Sequence, residues 1–107
     1  MSWLYLLGAG LFEIGWPVGL KLSQVPGQRA LGLCIAIACM AFSGALLWLA
    51  QREITIGTAY AVWTGIGAVG TVILGIVLFG ESASLPRLAC VAMIIAGIAG
   101  LKFITKT

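Results

Sequence analysis

The stretch from Ile56 to Phe79 reads IGTAYAVWTGIGAVGTVILGIVLF, 24 residues without a single charge. At ~1.5 Å of rise per residue a helix of this length reaches about 36 Å, enough to cross a hydrocarbon core of ~30 Å. The alternating ten-residue pattern of a membrane barrel strand is absent. Working outward, the same reading applies three more times, and the chain is expected to form four transmembrane helices over residues 3–21, 30–50, 55–79 and 85–104. Short polar connections separate them: Pro26-Gly27 in the first, Gln51-Arg52-Glu53 in the second and Gly80-Glu81-Ser82 in the third. Residues 1–107 read as one all-α membrane domain.

Composition agrees. Apolar residues make up 62% of the chain, mean hydropathy is +1.16, and only six basic and three acidic residues are present. Soluble domains carry roughly a quarter charged residues, so this sequence cannot cover a water-facing surface. It contains no Asp, Asn or His. That removes most metal sites, the hydrolytic triads and the usual general base, so neither an enzyme nor a metal or other cofactor is expected. The net charge of +3 is scattered singly, which gives nucleic acid no basic stripe to bind. Cys34, Cys39 and Cys90 lie in apolar runs and read as small packing residues. No Lys or Arg precedes the first apolar run and Glu13 interrupts it, so that segment is expected to be retained as a helix rather than removed as a leader.

Loop charges normally fix orientation, because Lys and Arg favour the cytoplasmic side. Here Arg52, Lys102 and Lys106 fall on one side and Lys21, Arg29 and Arg87 on the other. The balance predicts insertion in both orientations and pairing of the two as an antiparallel homodimer. Four helices scarcely enclose a wet site, whereas eight can. The fourth span carries Ala92, Ala96 and Gly100 at i, i+4 and i+8 with Gly97 beside them, a row that suits either close helix pairing between chains or packing within one.

Glu13 is the only acid inside a span, about 15 Å along the first helix and so near the bilayer midplane. An acid at that depth costs roughly 2.5 to 3.5 kcal/mol on insertion scales, and every basic residue lies at a helix end, too far to pair with it. The remaining role is a carboxyl facing a polar cavity. A carboxyl held in low dielectric keeps its proton more tightly than in water, and two copies across a dimer axis resist double ionisation. Such a group releases a proton when a cation arrives and regains one when it leaves, the minimum requirement of antiport. Trp16 and Pro17 share its helical face with Ala9 and Gly10, and Pro17 frees the Glu13 carbonyl and predicts a kink. In the third span Tyr60, Trp63 and Thr64 share a face and offer aromatic surfaces to a cation; interfacial belts also collect Trp and Tyr, and Tyr60, within two turns of the helix start, suits a belt as well as a binding site, whereas Trp63 favours binding. Trp3, Tyr5 and Trp48 read as belt residues. Ser43, mid-span in the second helix, could bond Glu13 or its own i−4 carbonyl. Gly65 and Gly67, followed by Gly70, mark a bend or a close helix contact; as a hinge, Gly65 and Gly67 would let two copies exchange shapes.

These residues together resemble the small multidrug resistance family, and within it the guanidinium-exporter branch. Gly10-Leu11-Phe12-Glu13-Ile14-Gly15-Trp16 with Gly19-Leu20-Lys21, the run from Gly57 to Ala68, and Gly80-Glu81-Ser82 carry the likeness across essentially the whole chain. The resemblance implies an antiparallel homodimer in the bacterial inner membrane that exchanges protons for guanidinium-type cations by alternating access. It implies Glu13 as the shared proton and substrate site, Trp16 and Ser43 as its hydrogen-bonding neighbours, and Tyr60 and Trp63 as cavity walls. Planar guanidinium suits a carboxylate bidentately. Export of quaternary ammonium compounds, and a non-transporting membrane subunit, are the alternatives. Pro17 and a longer first loop depart from the family pattern.

Overall fold

A computed structural model describes residues 1–104. It contains four helices: α1 (Ser2–Leu22), α2 (Arg29–Ala50), α3 (Ile56–Phe79) and α4 (Leu85–Ile104). Each end lies within one residue of the expected span, and all four are long and apolar enough to cross a membrane. α1 runs unbroken through Pro17, and α3 runs unbroken through Gly65, Gly67 and Gly70.

The helices stand side by side in the order α2, α1, α3, α4, with the backbone of α4 approaching α3 alone. The Cα envelope, 47 × 34 × 17 Å, is a slab rather than a closed bundle. Small residues set the spacing of its seams. A Cβ on Gly19 would lie 2.7 Å from the Ala36 nitrogen, and one on Gly32 would run into the Ser23 backbone, so α1 and α2 meet nearly backbone to backbone. Across the α1–α3 seam a Cβ on Gly10 would come within 2.6 Å of Ile66 Cγ2, and one on Gly70 would strike Ile14. Gly65 faces Ile98 of α4, where the same atom would lie 2.8 Å away. In this conformation all three mid-span glycines of α3 serve close contact.

The packed core sits at one end, where Leu6, Ala50, Ile54, Ala59 and Val62 are buried against Trp3, Trp63, Ile98 and Leu101. There the Ser2 hydroxyl donates to the Glu53 carboxylate, Lys102 Nζ lies 5.2 Å from the Trp3 ring centre, and the Arg52 guanidinium lies 5.1 Å from that of Trp48. Cations stacked on aromatic rings at a helix end suit a membrane–water boundary. At the opposite end Gly27 (φ +83°) and Gly80 (φ +66°) turn the chain in the left-handed region, and Arg87 pairs with Glu81 at 2.7 Å. Lys21 and Arg29 share that end; Lys106 lies outside the described residues.

One expectation is corrected in part. Only Cys39 packs, against Gly15; Cys34 and Cys90 face outward, because α2 and α4 each present a broad face to lipid. The row of small residues on α4 packs against no helix of its own chain: Ala92 and Ala96 are exposed, and a Cβ on Gly97 or Gly100 would meet nothing within 4 Å.

Candidate functional site

α1 and α3 together place Glu13. Its side chain crosses the seam onto Gly67, where any Cβ would collide with the Glu13 Cγ; glycine is what lets the carboxyl lie against α3. Beside it opens a cavity of about 410 Å³ walled by Trp16, Pro17, Thr64, Gly67, Ala68, Thr71 and Val72. Glu13 Oε1 is buried and has no hydrogen-bond partner among the described residues. A buried acceptor without a partner is unfavourable unless a ligand or a proton satisfies it, so the cavity offers a donor-bearing cation one strong and unclaimed anchor.

The neighbouring polar group is a layer apart. Ser43, fully buried, donates to the Ala9 carbonyl at 2.7 Å and accepts from Trp63 Nε1 at 2.7 Å. This corrects both partners considered for its hydroxyl, Glu13 and its own i−4 carbonyl. The reason is geometric: the short Ser43 side chain reaches the facing α1 backbone and spends its single O–H there, while the Trp63 indole takes one of its two acceptor positions. The Ala9 carbonyl is the one on which the Glu13 N–H closes in a regular helix, so Ser43 and Trp63 act on the backbone that carries Glu13, not on its carboxyl. Trp16 does reach the cavity. Trp63 and Tyr60 are not among its walls; they sit against each other with ring centres 5.4 Å apart, and Tyr60 is 57% exposed.

Thr71, Ala68 and Val72 were not singled out from the sequence. The signal was present: Thr64, Gly67, Ala68 and Thr71 follow i, i+3, i+4, i+7 along one face of α3. Continuing that face about two turns beyond the aromatic residues reaches Thr71.

Residues 1–94 match the family described as Small Multidrug Resistance protein. The chain belongs to this small multidrug resistance family. Among its relatives, a protein named Guanidinium exporter from Yersinia pseudotuberculosis is 54% identical over 95% of this chain and 97% of its own length. Proteins of the same name from Citrobacter freundii and Escherichia coli are 53% and 52% identical, each over 98% of this chain and 99% of the relative. The small multidrug resistance chain is thus a multi-pass protein of the bacterial inner membrane, and its named relatives are exporters rather than enzymes. Glu13 and its cavity lie within the matched residues.

Proposed function

We propose that this chain exports guanidinium and small guanidinyl cations in exchange for protons, as an antiparallel homodimer working by alternating access. The observation that carries the reading is the buried, unpartnered Glu13 oxygen in a cavity open on one face of a thin slab. Its only fixed charge is negative, it lies near mid-membrane, and the relatives that match it along its length are named for guanidinium. A second copy supplies the missing wall, and the outward row on α4, Ala92, Ala96, Gly97 and Gly100, provides the contact. Protons and guanidinium compete for Glu13, while Ser43 and Trp63 hold the α1 backbone beneath it. Trp16 walls the site, Tyr60 flanks it, and bending at Gly65 and Gly67 in the alternate conformation passes access from one side to the other.

The test is guanidinium uptake into proteoliposomes driven by an outward proton gradient. Wild-type protein concentrates guanidinium, and Glu13→Gln falls to the protein-free background; normal transport by the variant would overturn the reading. Direction with pH is equally definite. As pH falls through the Glu13 titration the carboxyl gains a proton and loses its charge, so guanidinium affinity weakens, by about tenfold per pH unit for each competing proton. Above the titration affinity reaches a plateau. An affinity that stays level across this range removes proton competition.

A further inference from the structure

On the face of the slab away from Glu13, α1 and α4 flank α3 and leave an apolar trough between them. Two adjoining hollows of about 250 and 380 Å³ form it, sharing Leu7, Ile66 and Ile98. One end is closed by Trp3 and Lys102 at the membrane boundary; the other reaches Ile14 and Ile95 near mid-span. From Leu4 to Ile14 the trough runs ten helical residues, about 15 Å, the depth of one leaflet of a ~30 Å hydrocarbon core. Apart from Lys102 its walls are apolar side chains and Gly70. The Lys102 ammonium at its mouth pairs with no carboxylate among the described residues and rests over the Trp3 ring.

We propose that this trough holds one acyl chain of an anionic glycerophospholipid, whose phosphate is bound by Lys102 beside Trp3. The length fits a single leaflet, the lining fits a hydrocarbon chain, and the one charge stands where a lipid phosphate lies and carries the opposite sign. Ile98, which both hollows share, lies about 120° or more around the helix from Ala92, Ala96 and Gly100. The site does not depend on the transport reading.

Native mass spectrometry of the detergent-solubilised protein, with equal amounts of phosphatidylglycerol and phosphatidylcholine, tests it. Wild type is expected to retain phosphatidylglycerol about fivefold over phosphatidylcholine, the factor one interfacial lysine contributes toward anionic lipid. Lys102→Gln removes that preference and Lys102→Arg keeps it, while Ile98→Trp, which fills the trough, reduces retention of both lipids. Equal retention of the two lipids by wild type, or a preference that survives Lys102→Gln, overturns the proposal. So does Ile98→Trp that lowers the dimer fraction with retention unchanged, since the trough is then a contact between copies.

Discussion

α1 and α4 have similar lengths and both are apolar, yet their mean hydropathies, 1.2 and 1.9, run opposite to their burial. α1 buries Ser2, Leu6, Ala9, Gly10 and Gly19 between two neighbours, while the more apolar α4 buries only Val91. In a soluble protein the order would be reversed. In lipid, hydropathy records contact with the bilayer, and helices associate through close packing of small residues instead. The helix that carries the acid is therefore the one most tightly held by its own chain, and the helix at the edge leaves its small residues exposed.

Alanine scanning of glycine breaks or sharpens that contrast. The largest loss is expected at the α1–α2 seam: the Cβ of Gly32→Ala meets backbone that cannot step aside, and stability should fall by about 1 to 3 kcal/mol, read from unfolding in detergent. Next comes Gly67→Ala, where the atom in the way is the Glu13 side chain. That chain can move, so folding should survive while guanidinium affinity drops about tenfold by calorimetry, equivalent to roughly 1.4 kcal/mol. A variant that binds normally would show that the contact of Glu13 with Gly67 is incidental to the site. The smallest change is expected for Gly97→Ala, which meets open space and should leave monomer stability within about 0.5 kcal/mol. Its readout is the dimer fraction by crosslinking; an unaltered fraction would mean that α4 contributes its small residues elsewhere.

Four helices and their ends were legible because each span is an uninterrupted apolar run closed by Gly, Pro or charge, and lipid permits few other structures. Glu13 was legible for the same reason, as the one acid in a span without a nearby base. Ser43 was not: a hydroxyl in a helix has several acceptors within reach, and only the facing backbone selects Ala9. The α3 glycines were likewise ambiguous, since a bend and a close contact need the same residue. Thr71 was missed because the face was followed over about one turn rather than three.

The linear pattern, then, determined that four helices are long and apolar enough to cross a membrane and that the one acid within them falls near the middle of the first, both of which depend on composition and length along one helix. Which helices touch, that α1 lies inside and α4 at the edge, and that the Glu13 oxygen has no partner among the described residues beside a cavity were decided by tertiary packing. Those outcomes depend on side-chain volumes meeting across seams, and no periodicity within one helix specifies the face of another.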